Sequence, residues 1–188
     1  MSLFGRFFKG KSELATTTEQ PAQTTKTSIP VVKVDPSQVT EAVKADLWQA
    51  ISQTVDIPEE SAKLAYEVAL RTAVTRDLFE MTEALISLGI QKQRAAWLSS
   101  WLANRANALM TRDKRIKLGI TEAIWQYSGA PCRAKNSTNE ESKCRDEAHR
   151  LADGQKYKIA DGLNLNGKNT WPGYEPECKC VSKSILPF

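Results

Sequence analysis

Apolar residues recur at helical spacing through the first part of the chain and at strand spacing later, so the period changes along the sequence. Asp35-Pro36 reads as a helix start, with the acid as cap and the proline where its missing N–H costs nothing. Val39, Val43, Leu47 and Ile51 then mark one stripe every four residues. Pro58, Glu59 and Glu60 open a second, longer helix, whose buried side is Leu64, Val68, Leu78, Met81, Leu85 and Leu88, ended by Gly89. A third helix spans about 91–110, with Trp97 and Trp101 one turn apart as core or helix–helix contact. The basic run from Thr111 to Leu118 continues or follows it, and Gly119 breaks it.

Beyond Gly119 the period is two. Thr121, Ala123, Trp125 and Tyr127 alternate with Glu122, Ile124 and Gln126, which predicts a strand. Ser128 to Cys132 is a tight turn. Ser137-Thr-Asn-Glu140 reads as a capping box for a polar helix to about Leu151. Short strands at Lys156–Ile159 and Cys178–Ser182 flank a hairpin whose turn is Asn166-Gly167. The expected fold class is α+β: a disordered basic arm and linker over 1–36, a helical region over 37–118, and a small β-rich module over 119–188.

Composition adds little until it is localised. The chain has 188 residues, 41% hydrophobic and 26% charged, with a formal net charge of +4, ordinary values for a soluble domain with a small appendage. Yet residues 90–118 hold seven basic side chains against Asp113 alone, a local excess of +6. Arg112, Lys114, Arg115 and Lys117 are therefore candidates for an acidic partner such as nucleic acid, with a solvated helix face as the plain alternative. No run of about 18 apolar residues predicts a membrane span, and the start lacks the pattern of a signal peptide, so a cytoplasmic protein is expected. Residues 1–36 are poor in large apolar groups and cannot stay folded alone. Phe4, Phe7 and Phe8 stand out there as a peptide for docking on a partner or a membrane surface.

All four cysteines and the single histidine lie in one loop-rich stretch, too small to hold itself together by burial alone. The order is Cys132, Cys144, His149, then Cys178-Lys179-Cys180. Zinc takes four nitrogen or sulfur ligands in a tetrahedron, and five candidates for four places leave one spare. Cys132, His149, Cys178 and Cys180 are the favoured set for a structural zinc ion, with Cys144 as the substitute for His149. Two disulfides or four packed thiols are the alternatives; disulfides would need an oxidising compartment.

Four pieces of this region resemble a known family. They are Trp125-Gln-Tyr-Ser-Gly-Ala-Pro-Cys132, Ala148-His149-Arg-Leu-Ala-Asp153-Gly154, Asn166-Gly167-Lys-Asn-Thr-Trp171-Pro172-Gly173 and Cys178-Lys-Cys180. In this order they are similar to the carboxy-terminal module of the phage minor head, or head morphogenesis, proteins related to the Mu F protein, over roughly residues 90–182. Two departures stand out. Many relatives have a Cys-x-x-Cys at the first position, where Arg133-Ala-Lys135 follows Cys132 here, and a histidine where Glu175 stands. The resemblance implies a virion protein without established chemistry. It would act in the host cytoplasm during capsid assembly near the portal, with portal or capsid proteins and double-stranded DNA as partners. Two other readings compete: a nucleic-acid-binding zinc module, and a phage nuclease or toxin-like enzyme using His149 with Asp146, Glu147 or Asp153. One histidine beside four thiols favours a closed structural site over the open metal positions a nuclease needs.

Overall fold

In the computed structural model, residues 35–186 are described, except Asp56 and Asn136. Asp35 does cap a helical start, accepting from the Ser37 N–H at 2.9 Å, but what it caps is a single 3-10 turn, Pro36–Gln38. The first α-helix, α1, is Glu41–Ser52 and takes its own cap from Thr40. Its stripe is the expected one, with Val43, Leu47 and Ile51 fully buried.

The second expected helix is two. Helix α2 (Glu59–Thr75) stops at Arg76, which is left-handed at φ 62°, and α3 (Leu78–Ser87) restarts behind Asp77. Asp77 Oδ1 accepts from both Phe79 N and Glu80 N at 3.0 Å, a side-chain cap that competes with continuation of α2. Leu64 in α2 and Leu78 at the start of α3 face solvent instead of the core. Small residues take the inward positions of α2: Ala62, Ala65, Val68, Ala69 and Ala73. A stripe of alanines lets helix backbones approach closely, which a search for large apolar residues overlooks.

Helix α4 runs from Lys92 to Lys117, 26 residues, so the basic run continues the third helix. At 1.5 Å per residue it is about 39 Å long, and it buries Ala95, Leu98, Leu102, Ala106 and Leu109. Gly119 ends it at φ 75°, and the Ile120 N–H turns back to the Arg115 carbonyl at 3.0 Å, which redirects the chain into the sheet.

Strand β1 (Glu122–Gln126) is the middle of a three-stranded antiparallel sheet. Its neighbours are β2 (Lys156–Lys158) and β5 (Val181–Ile185), with Ala123 opposite both Tyr157 and Ser184. Helix α5 (Glu140–Leu151) lies between β1 and β2 in the chain. Its cap is Asn139, which accepts from Ser142 N at 2.9 Å, rather than Ser137, whose hydroxyl bonds that of Ser142. Strands β3 (Leu163–Leu165) and β4 (Lys168–Thr170) form the expected hairpin, with Asn166 and Gly167 both at positive φ. The last strand starts three residues later than expected. The amides here serve other partners than a neighbouring strand: Cys178 N donates to the Glu175 carbonyl at 3.1 Å in a turn, and Lys179 N donates to Cys132 Sγ at 3.3 Å.

The protein is α+β, with helices in the amino-terminal part of the described chain and strands in the carboxy-terminal part. The two parts belong to one compact unit. Arg115 at the end of α4 donates to the Ser182 hydroxyl and carbonyl at 2.6 and 2.8 Å. Trp97 Nε1 donates to Glu177 at 3.0 Å. Asp46 of α1 accepts from Arg105 of α4 and, at 2.6 Å, from the Tyr174 hydroxyl.

Candidate metal centre

Three pieces of chain supply the centre, and each is held by bonds of its own. The first is the turn after β1. Asp153 Oδ1 accepts from Tyr127 N at 2.8 Å; Asp146 Oδ1 accepts from Cys132 N at 2.7 Å and from the Tyr127 hydroxyl at 3.0 Å. Arg133 pairs with the second Asp146 oxygen at 3.3 Å. These bonds fix the backbone on which Cys132 sits. The second piece is the last turn of α5, which carries His149 under the Trp125 ring, edge to face at 5.2 Å. The third is the turn before β5, where Gly173 N donates to Cys178 Sγ at 3.2 Å.

Cys132, His149, Cys178 and Cys180 meet here. Their ligand atoms all lie within 4.8 Å of one another, and all four residues are buried. Cys132 Sγ and Cys180 Sγ are 3.6 Å apart, and Cys180 Sγ is 3.8 Å from His149 Nδ1. Metal–sulfur bonds of about 2.3 Å in a tetrahedron place the ligand atoms about 3.8 Å apart, so these separations suit one four-coordinate ion. They are far from the roughly 2.05 Å of a disulfide, and all four cysteines are free thiols. Backbone N–H groups aimed at Cys132 and Cys178 would stabilise negative charge on sulfur.

Glu175 completes the arrangement from outside. Its Oε2 lies 3.0 Å from His149 Nε2. A carboxylate there takes the Nε2 proton and leaves the Nδ1 lone pair facing the sulfurs, the outer-shell pairing that orients metal-binding histidines. Glu175 thus acts through His149.

The electrostatics favour positive charge at the centre. Hydrogen bonds from Cys178 and Cys180 push the Cys132 thiol far below its ordinary range, and the same contacts push Cys180 up. Burial works against charge on His149, but its contacts with Cys132, Cys178 and Glu175 prevail and lift it to about 11. Burial also opposes ionisation of Glu175, and the bond to His149 outweighs it. A metal cation would supply that positive charge in place of protons.

The other expected residues are placed differently. Cys144, the substitute for His149, is exposed and does not join the group; it stands five positions before His149, which turns it to another face of α5, beside Asn166. Asp146 and Asp153 are committed to the Cys132 turn, and Glu147 is at the surface paired with Arg150. The basic residues of α4 divide. Arg112 pairs with Asp113 at 2.9 Å and lies over the Trp171 ring, and Arg115 holds β5, whereas Lys114 and Lys117 are exposed. Phe4, Phe7 and Phe8 lie outside the described residues. Among the described residues no helix is long and apolar enough to cross a membrane.

Fold and site together define an α+β protein with a buried Cys3His group able to hold a metal ion. No protein-family model, no curated protein and no solved structure matches the chain.

Proposed function

We propose that this protein is a structural, zinc-stabilised component of a phage head, acting in capsid assembly near the portal. The observation that carries the reading is the closed form of the metal centre. Four protein ligand atoms within 4.8 Å of one another could complete a tetrahedron, the histidine is fully buried, and its second nitrogen is bonded to Glu175. Three thiolates and an imidazole at tetrahedral separation favour zinc over the oxygen-seeking cations. Catalytic zinc keeps a position for water or substrate, and a set of four protein ligands leaves none. The residues expected to serve a nuclease support the same view, since Asp146 and Asp153 are spent on backbone amides. The head assignment itself rests on the family resemblance, whose motif residues Trp125, Cys132, Asp153, Cys178 and Cys180 are those that build or brace the centre.

Two measurements test the proposal. The full chain purified under reducing conditions should carry about one zinc by elemental analysis, lost in Cys180→Ser and retained in Cys144→Ser. Particles induced from the genome that carries the gene, and purified on a density gradient, should contain the chain at low copy alongside portal protein. A metal-free preparation with four reactive thiols overturns the zinc reading. Particles without the chain, or a genome that yields none, overturn the head reading.

A further inference from the structure

A cleft of about 430 Å³ opens between α4 and the turn that carries Cys178 and Cys180. Its α4 wall is Asn104, Asn107, Thr111, Arg112 and Arg115, the spacing of one helix face, and Lys179 stands on the other side. No acidic residue lines it. The volume falls within the roughly 300–1,000 Å³ of ligand-sized sites.

The donors in this lining exceed the acceptors available to them. Among the described residues, Arg115 is bonded only to the neutral hydroxyl and carbonyl of Ser182, with no carboxylate paired to it. Among the same residues, the Lys179 ammonium reaches only the Pro131 carbonyl. Arg112 alone has an acid, Asp113, just outside the lining, which also accepts from the Thr40 hydroxyl at 2.8 Å. Asn107 commits its carbonyl oxygen to Arg76 at 2.6 Å, which turns its amide nitrogen outward as a donor. Among the described residues, the side chains of Asn104 and Thr111 make no hydrogen bond. Three cations therefore line a recessed space, with one partly shared carboxylate outside it, and low-dielectric walls concentrate the field there.

We infer that this cleft binds a phosphate of a nucleic-acid backbone. A phosphodiester offers acceptors only and carries one negative charge, which suits a lining of guanidinium, ammonium, amide and hydroxyl donors. A base edge would demand acceptors in return, so recognition here is of backbone, independent of sequence. Lys114 and Lys117 lie outside the lining and contribute attraction at a distance. One wall of the cleft is the cysteine turn, so the site depends on the metal centre being formed. The inference goes beyond the head-protein reading and does not require it.

The test uses the full chain and a fluorescent DNA duplex of about 20 base pairs, followed by anisotropy over a range of salt. Thr111→Glu places an acid in the cleft at a half-buried position inside α4, where glutamate keeps the helix propensity. It should weaken binding at least tenfold and reduce the log–log salt slope by about one, the value for a lost phosphate contact. Asn104→Asp is a second cleft variant, with far-UV circular dichroism as the check that both fold. Lys114→Ala with Lys117→Ala should weaken binding less than Thr111→Glu. Equal binding by wild type and both folded cleft variants overturns the site. So does binding to phosphatidylserine vesicles without binding to duplex. Particle incorporation is measured separately, so failure of this site and failure of the head reading are distinguishable.

Discussion

Replacing Glu175 separates what the cysteines do from what holds the histidine. His149 is fully buried and its Nε2 has Glu175 as its partner at 3.0 Å, with the carboxylate only 14% exposed. Removing that acceptor leaves a buried N–H unpaired, at a cost of about 1–3 kcal/mol, and frees the ring to rotate its Nδ1 away from the sulfurs. Since about 1.4 kcal/mol is a factor of ten, Glu175→Ala should lower metal affinity by roughly 10- to 100-fold, the range seen for outer-shell partners of metal-binding histidines. Glu175→Gln keeps an acceptor oxygen but loses the charge, so it should fall between wild type and Glu175→Ala. The assay is competition for zinc against a chromophoric chelator, with cobalt substitution to report the coordination. All three proteins should give a tetrahedral cobalt spectrum with thiolate charge-transfer bands, because the four ligands are untouched. Equal affinities in all three would refute the role of Glu175. The graded loss of affinity from wild type through Glu175→Gln to Glu175→Ala, with the same cobalt spectrum in all three, would support it.

Two other substitutions probe the frame around the centre. Gly162→Ala would put a Cβ 2.7 Å from the Thr170 carbonyl oxygen at φ 77°; left-handed strain and overpacking together should destabilise the protein by about 2–4 kcal/mol, read as a lower urea midpoint with unchanged slope. Asp46→Ala removes the acceptor shared by Arg105 and Tyr174 and leaves a mostly buried guanidinium without its acid. A loss near the lower end of the roughly 3–5 kcal/mol range is expected, and a thermal midpoint equal to wild type would refute it.

Much of the fold is legible in the sequence because the deciding information is local. The four-residue stripe of α1, the alternation around Trp125 and the Asn166-Gly167 turn each need only a few neighbouring residues, and each is found where expected. The break at Arg76 is not legible in that way. It depends on Asp77 capping a new helix and on alanines packing inward, and a count of leucines runs straight through it. The strand expected at Cys178 fails for another reason. The Lys179 amide is claimed by the sulfur of Cys132, 47 residues earlier in the chain, and no local pattern carries that. The same limit applies to Glu175, which no local pattern singles out. Its purpose depends on the fold bringing it to the ring of His149, 26 residues away.

The turn from Trp171 to Cys180 explains why a small metal module and a helical region make one unit. Tyr174 belongs to the apolar core of the helices, Cys178 and Cys180 belong to the core of the sheet, and Trp171 packs against both. Arg112 stands over Trp171, Arg105 over Tyr174, and Trp97 bonds Glu177, so α4 grips this turn at three levels. The turn has no helix or strand of its own, and a few short-range bonds such as Gly173 N to Cys178 Sγ do not by themselves fix its path. Two sets of distant contacts select it: aromatic rings docked on α4, and sulfurs gathered with Cys132 and His149. Each set lowers the entropic cost of forming the other, because ordering the turn once serves both. A basic helix and a cysteine turn that must form together also shape the cleft between them. The placement of the metal centre therefore governs more than the stability of the strands around it.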